Sequence, residues 1–156
     1  MPAFNPAQDN CFQTLGLSSV SVCLRCVNKK KNEKEVQSEF AVKFYKWRES
    51  DVLKDRAGRL WLREGKMLYI CQGHPNIVKS ICAGVDRYFN YLVMEPLSGG
   101  ELWTRIRNRE EITESEVHHL FKQLASAVYH CHSRGVVHRD INPSVSVASK
   151  DCSHVT

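Results

Sequence analysis

Short apolar runs separated by polar breaks dominate the first part of the chain. Residues 20–27 are rich in valine and cysteine, and residues 40–45 repeat the pattern beyond a lysine-rich stretch. Runs of β-branched and aromatic residues bounded by polar clusters are typical of strands. The two runs predict an antiparallel hairpin with a long charged turn, and residues 77–82 with 88–94 predict a second hairpin.

A helix is predicted over residues 59–71, where apolar residues recur at helical spacing and Glu64 falls inside the same stripe. The apolar members of that stripe are Leu60, Met67, Leu68 and Cys71. A carboxylate on a buried face is costly unless it is paired. Two interpretations remain open from the periodicity: Glu64 has a buried partner, or the stripe ends early and leaves Glu64 at its wet edge. Gly65 weakens the helix by about 1 kcal/mol.

The strongest helical pattern covers residues 113–134. Thr113 and Glu116 have the spacing of a capping box, and Gly135 stands at the C-terminal cap. A continuous apolar stripe runs along this helix, which therefore needs a partner surface: Val117, Leu120, Phe121, Leu124, Val128 and Cys131. Pro96, Gly99 and Gly100 mark a flexible connection before it. Strands with one helix among them, then a hinge, then helices, predict an α+β protein in two lobes.

Composition narrows the class of protein. The 156 residues are 42% hydrophobic and 25% charged, which is ordinary for a soluble globular domain. No apolar run approaches the ~20 residues that a membrane span needs, so no membrane partner is expected. The N-terminus lacks the pattern of a secretory signal. The seven cysteines are an odd number, and without a signal they are expected to be reduced thiols in a cytoplasmic or nuclear protein.

Two local clusters have residue types found in metal sites or nucleic-acid-binding sites, and neither interpretation is favoured. Cys23 and Cys26 form a CxxC, but no second pair follows, and an offset of three in a strand places them on opposite faces. The net charge of +5 comes largely from lysines at 29, 30, 31 and 34, without interleaved aromatic residues. We expect a solvated hairpin loop, no zinc, and no direct binding of nucleic acid.

Five motifs then occur in one order. His138-Arg139-Asp140 after the long helix resembles the catalytic loop of protein kinases, and Phe40-Ala41-Val42-Lys43 resembles their lysine strand. Glu64 matches the acidic residue of the helix behind that strand. Met94-Glu95-Pro96-Leu97 is similar to the linker between kinase lobes, and residues 15–23 occupy the place of the glycine-rich loop. Each motif is weak by itself, whereas the five together in this order are specific.

Within the kinases, the resemblance is closest to the C-terminal, CaMK-like kinase domain of the mitogen- and stress-activated kinases and their RSK relatives. Residues 21–26, 73–79 and 92–102 carry this similarity, which spans roughly residues 12–143. It implies a partial kinase domain that is cut off shortly after the catalytic loop. Over residues 1–156 the resemblance implies four parts. An antiparallel N-terminal β lobe with one helix covers 12–94, and a hinge covers 95–99. The first helices of the C-terminal lobe cover 100–143, and a divergent tail covers 144–156.

The resemblance also implies ATP with Mg²⁺, and a protein substrate or a regulatory protein partner. It assigns Lys43 to the α- and β-phosphates, Glu64 to pairing with Lys43, and Asp140 to the substrate hydroxyl as the base. Met94 would be the gatekeeper behind the adenine, and the backbone at Glu95 and Leu97 would bind the adenine edge. The remaining residues of the implied ATP site are Leu15, Gly16, Cys23, Ala41 and Glu101.

Departures from the kinase pattern predict loss of catalysis. Ser18 stands where relatives have the second glycine of the loop. After Asp140, Asn142 and Val145 replace a lysine and an asparagine, so a cation and a magnesium ligand are missing. No Asp-Phe-Gly sequence occurs in the chain. We therefore expect an inactive member of the Ser/Thr kinase family, without a metal site; the alternative is a pseudokinase-like module that binds a nucleotide or a partner.

Overall fold

A computed structural model of the chain describes residues 10–27, 38–46, 51–86 and 88–143. The chain divides into two compact units, Met1–Lys66 with Ser80–Pro96 and Met67–Lys79 with Leu97–Thr156. The elements are β1 (Asn10–Leu17), β2 (Ser21–Val27), β3 (Glu39–Lys46), α1 (Asp51–Cys71), β4 (Ser80–Val85), β5 (Phe89–Met94), α2 (Leu102–Arg107) and α3 (Glu114–Ser133). The lysine cluster and the divergent tail lie outside the described residues.

The first unit is built on a five-stranded sheet in the order β1-β2-β3-β5-β4, with every neighbouring pair antiparallel. The β2–β3 and β4–β5 pairs confirm the two predicted hairpins. The sequence did not indicate β1, because register shifts at Cys11/Gln13 and Thr14/Gly16 break the alternation of side chains along it. The observed strands and helices are those of an α+β protein, as expected.

The two faces of the sheet carry different side chains. Cys26, Phe40, Val42 and Val93 form a buried cluster on one face. Because side chains alternate along a strand, Lys43 and Tyr45 point to the other face. Leu92, fully buried, shares that face, since it lies opposite Lys43 across the β3–β5 pair. The sheet therefore places Lys43 on the face that α1 covers.

Helix α1 lies close to strand β5. The indole Nε1 of Trp61 donates to the carbonyl of Tyr91 at 3.0 Å, and a Cβ on Gly65 would lie 3.2 Å from Cδ2 of Leu92. Gly65 thus permits the close approach of the helix, which explains a residue that weakens helices by propensity. The helix begins at Asp51 rather than at the predicted residue 59, because Gly58 interrupts the pattern before that point.

The second unit contains α3, and its predicted ends are confirmed. Thr113 and Glu116 form the reciprocal capping box. At the other end Gly135 has φ +71°. Its N–H donates to the carbonyl of His132, and the N–H of Val136 donates to the carbonyl of Cys131, both at 2.9 Å. This is the Schellman arrangement that favours glycine. The hydrophobic pattern did not indicate helix α2, because six residues are too few to establish a period; only the resemblance implied more than one helix in this part of the chain.

The end of α1 and the segment after it make polar contacts with α3 within this second unit. Nε2 of His74 lies 3.0 Å from Oγ of Ser126, and Nδ2 of Asn76 donates to Oε1 of Gln123 at 2.6 Å. Nε2 of His130 lies 3.2 Å from the carbonyl oxygen of Cys71. One side of α3 is therefore held by polar contacts, whereas Val117 and Phe121 of the predicted apolar stripe are exposed.

The prediction of reduced thiols is wrong for two cysteines. Cys11 and Cys26 form a disulfide between β1 and β2, because the strand register places them directly opposite each other. Sequence spacing does not show that register, since the bulges in β1 alter it. Cys23, Cys71, Cys82 and Cys131 are free thiols. Cys152 lies outside the described residues.

Neither a metal cluster nor a membrane span occurs in the parts of the chain that the structure describes. These residues contain no group of three or more His, Cys, Asp or Glu side chains able to hold a metal ion. Cys26 lies in the buried cluster while Cys23 faces Lys43 across the β2–β3 pair, so the CxxC cysteines diverge. None of the helices in these ranges is both long and apolar enough to cross a membrane.

Candidate nucleotide-binding and catalytic residues

Lys43 and Glu64 form an ion pair within the first unit. Nζ of Lys43 lies 2.8 Å from both Oε1 and Oε2 of Glu64, which confirms the predicted pairing. The two side chains are 28% and 36% exposed, so the pair is partly buried. Of the two interpretations that periodicity left open, the paired carboxylate is confirmed, although Glu64 also reaches the solvent.

Two residues on the same face surround this ion pair. Nζ of Lys43 lies 5.5 Å from the ring centroid of the buried Tyr45, within the range of a cation–π contact. Burial, followed by the charge of Glu64, raises the pKa of Tyr45 far above its ordinary value. Burial also raises the pKa of the Cys23 thiol, against the opposing effect of Lys43. Both neighbours therefore stay uncharged at neutral pH.

Ala41 and Met94 provide an apolar surface on this face. They lie opposite each other in the β3–β5 pair, and both are buried. Met94 ends β5, and Glu95 follows it directly. Together with Cys23 and Lys43, these residues are brought into one part of the first unit, as the resemblance to kinases implied. An apolar surface beside a cation suits a ligand that has a flat ring and phosphates.

Hydrogen bonds between Ser18 and Ser21 join the two ends of the loop between β1 and β2. Gly16 lies opposite Cys23 near the end of β1, and Leu15 is partly exposed beside it. The tip consists of Ser18, Ser19 and Val20, with the N–H of Ser18 donating to the carbonyl of Ser21 at 2.9 Å. Ser18 Oγ lies 2.8 Å from Ser21 Oγ. The serine at the second glycine position thus makes specific bonds, which the sequence did not indicate.

The remaining predicted residues, Leu97, Glu101 and Asp140, belong to the second unit. Leu97 and Glu101 precede α2, and Glu101 is its N-terminal cap residue. Asp140 is exposed, and its backbone N–H donates to Nδ1 of His138 at 3.3 Å. Arg139 between them has φ +68°, a backbone conformation that is uncommon outside glycine.

Asn142 engages the candidate base. Its Nδ2 lies 3.2 Å from both Oδ1 and the carbonyl oxygen of Asp140. By resemblance a lysine would stand here, so a neutral amide that binds the base replaces a cation that would bind phosphate. The carbonyl of Pro143 accepts from the N–H of Trp103 at 2.7 Å, which ties the end of this loop to α2. Val145 lies outside the described residues.

An apolar groove in the second unit was not predicted as a site. It has a volume of about 400 Å³ and is lined by residues of α2, of α3, of the segment between them and of the catalytic loop: Leu102, Ile106, Ile112, Val117, Leu120, Phe121, Leu124, Ile141, Asn142 and Pro143. Phe121 is 68% exposed and Val117 is 52% exposed. The sequence did contain an indication of this groove, because the apolar stripe of α3 predicted a partner surface there.

Comparison with known proteins agrees with this geometry. Residues 10–147 match the model of the protein kinase domain family. The chain is 39% identical over 130 residues to human ribosomal protein S6 kinase alpha-4, covering 83% of the chain and 15% of that protein. It is 34% identical over 139 residues to Caenorhabditis elegans calcium/calmodulin-dependent protein kinase type II, covering 88% of the chain and 18% of that protein. The chain therefore belongs to the protein kinase domain family.

Proposed function

We propose that this polypeptide binds ATP weakly as a member of the Ser/Thr kinase family and does not transfer the phosphoryl group. The Lys43–Glu64 ion pair carries this proposal, since it holds a cation beside an apolar surface. The chain spans 15% of the length of the curated S6 kinase relatives that it matches. The activity and the protein substrates of a full-length kinase are therefore only proposals for this chain.

The first unit has the groups that a nucleotide needs. Lys43 supplies the positive charge for phosphates, and Glu64 keeps its ammonium group in place. Ala41 and Met94 supply an apolar surface for the adenine, and strand β5 ends at Met94, so Glu95 follows that surface directly. Kinases use these roles in general, and the residue types present here fit them.

The residues present do not fit a magnesium site. Mg²⁺ prefers carboxylate and carbonyl oxygens in octahedral geometry. The carboxylate of Asp140 is engaged by the amide of Asn142, and Val145 has no oxygen in its side chain. Within the described ranges no cluster of acidic, His or Cys side chains could hold a metal. We therefore expect ATP binding that does not depend on Mg²⁺.

Catalysis requires more charge than these residues supply. The transferring phosphoryl group is stabilised by cations and metal ions placed in advance. Asn142 contributes a dipole to Asp140 instead of a charge to phosphate. A general base by itself contributes only about 10²–10⁴-fold, so Asp140 cannot replace the missing cations. The polypeptide would then act as a binding module, in the manner of a pseudokinase.

A thermal-shift titration with ATP, with and without Mg²⁺, tests the proposed binding. We expect a small stabilisation that is lost in Lys43→Met and kept in Lys66→Met, which removes an exposed lysine of α1. Strong stabilisation that requires Mg²⁺, or equal behaviour of the two variants, would show the proposal to be wrong.

The cytoplasm or the nucleus is the proposed location, and a protein is the proposed partner. The four free thiols in the described ranges support a reducing compartment, whereas the Cys11–Cys26 disulfide does not. Imaging of a fluorescent fusion in intact cells, together with thiol labelling of the extracted protein, tests this placement. Fluorescence confined to the secretory pathway would contradict it.

A further inference from the structure

The hydroxyl of Ser18 occupies two backbone donors at the tip of the β1–β2 hairpin. Oγ accepts from the N–H of Ser21 at 2.9 Å and from the N–H of Val20 at 3.3 Å. It also lies 2.8 Å from Oγ of Ser21 and 3.3 Å from the carbonyl oxygen of Ser21. A serine hydroxyl has one proton and two lone pairs, so these bonds use its full capacity.

The two N–H groups converge on one oxygen atom. Successive backbone N–H groups in a turn form a concave site for anions, in which they bind a shared oxygen of a phosphate. Here that oxygen is already present as Oγ of Ser18, within the same chain. A phosphate that binds to these two donors must first displace the hydroxyl, which glycine at this position would not require.

Ser21 strengthens this internal arrangement. Its side chain is buried, and it lies opposite Tyr45 in the β2–β3 pair, so its position is set by the sheet. Its Oγ and carbonyl oxygen both face Ser18. The Ser18 hydroxyl is therefore held in place from the β2 side, while Ser18 itself is exposed at the hairpin tip.

We infer that Ser18 is an internal competitor for the phosphates of the nucleotide and thereby lowers their contribution to binding. This inference rests on the proposed nucleotide binding of the first unit. It makes Ser18 a positioning residue that acts through the amides of Val20 and Ser21. The loop then distinguishes poorly between ATP and adenosine, because its donors are satisfied before either ligand arrives.

Dissociation constants of ATP and adenosine, measured by calorimetry without Mg²⁺, test the inference. We expect Ser18→Ala to bind ATP about ten-fold more tightly, as one or two regained hydrogen bonds imply, with adenosine unchanged. Ser18→Thr keeps a hydroxyl and should retain the wild-type ratio. Ser115→Ala, which removes an exposed serine of α3, should leave both constants unchanged.

Hydrogen exchange of the Val20 and Ser21 amides in the free protein supplies a second measurement. Both amides should be protected in the wild type and in Ser18→Thr, and should exchange faster in Ser18→Ala. Unchanged protection, or ATP and adenosine affinities that shift together, would overturn the inference while leaving the proposed function intact. Absence of binding of both ATP and adenosine in every variant would overturn the proposed function, and this inference with it.

Discussion

The ammonium group of Lys43 on β3 is held by both carboxylate oxygens of Glu64 on α1, at 2.8 Å each, across 21 positions of the chain. Tyr45 presents its ring to the same ammonium. Because both charged side chains are partly exposed, solvent screens the pair, and its function is to position Lys43 rather than to stabilise the fold strongly.

A double-mutant cycle of Lys43→Met and Glu64→Gln should give a coupling energy of about 0.5–1 kcal/mol, the range of partly screened pairs. The coupling should decrease as salt is added, because ions screen exposed charges. Urea denaturation at low and high salt measures it. Lys66→Met combined with Glu64→Gln is the control, for which we expect no coupling; a salt-independent coupling would contradict the expectation.

Two glycines of α1 should respond oppositely to alanine. Gly58→Ala should raise the free energy of unfolding by about 0.5–1 kcal/mol, since the nearest atom to a Cβ there is 4.0 Å away. Gly65→Ala should lower it by about 1 kcal/mol, because a Cβ would lie 3.2 Å from the fully buried Leu92. Chemical denaturation of both variants measures these changes in the free energy of unfolding. Stabilisation by both substitutions would contradict the close packing of α1 on β5.

His74 should make stability depend on pH. Burial, and then the charges of His130 and Arg134, lower the pKa of His74 below its ordinary value of 6.5. The neutral form is favoured in the fold, where Nδ1 accepts the N–H of Asn76. The unfolded chain therefore takes up the proton first, so stability is greatest above pH 6.5 and falls as the pH decreases from there towards the lower folded value.

Urea denaturation of the wild type and of His74→Gln between pH 5 and 8 measures this dependence. We expect the decrease below pH 6.5 to be smaller in the variant. His132→Gln, which changes a histidine on the last turn of α3, is the matched control and should keep the wild-type profile. Identical profiles for the wild type and His74→Gln would show that another group causes the decrease.

The polypeptide should show no protein kinase activity. The amide of Asn142 binds Asp140 at 3.2 Å and brings no positive charge, so the transferring phosphoryl group lacks stabilisation. Asn142→Lys by itself should not restore activity, because the side chain of Val145 still has no oxygen to bind a metal ion. Transfer of radiolabelled phosphate to a serine-containing basic peptide is the measurement. Activity that disappears in Asp140→Ala would contradict this prediction.

The apolar groove beside α3 should promote self-association. Phe121 and Val117 are largely exposed there, and exposed apolar patches of this kind favour contact with other molecules. Phe121→Glu should shift the sedimentation coefficient towards that of a monomer at high concentration. Tyr129→Glu changes an exposed aromatic residue of the same helix outside the groove and should have no such effect. A monomeric wild type would refute the prediction.

The sequence by itself determined the elements whose signals are local. Thr113, Glu116 and Gly135 specify the ends of α3 because caps act within one helical turn. Short apolar runs bounded by polar residues specify β2, β3 and β5. The order of the kinase motifs also indicated Lys43 and Glu64 as a pair. The caps and strands needed only the local sequence, whereas the pairing of Lys43 with Glu64 was implied by the resemblance to kinases and not by spacing.

Only the tertiary structure decided the features that depend on register and close approach. The bulges of β1 place Cys11 opposite Cys26, and no pattern along the chain shows such a pairing. Gly65 is favourable only because Leu92 lies next to it. Ser18 differs from a simple loss of glycine because the turn brings its hydroxyl onto two amides. Hydrogen bonds and packing distances arise between elements, and a one-dimensional period contains no information about them.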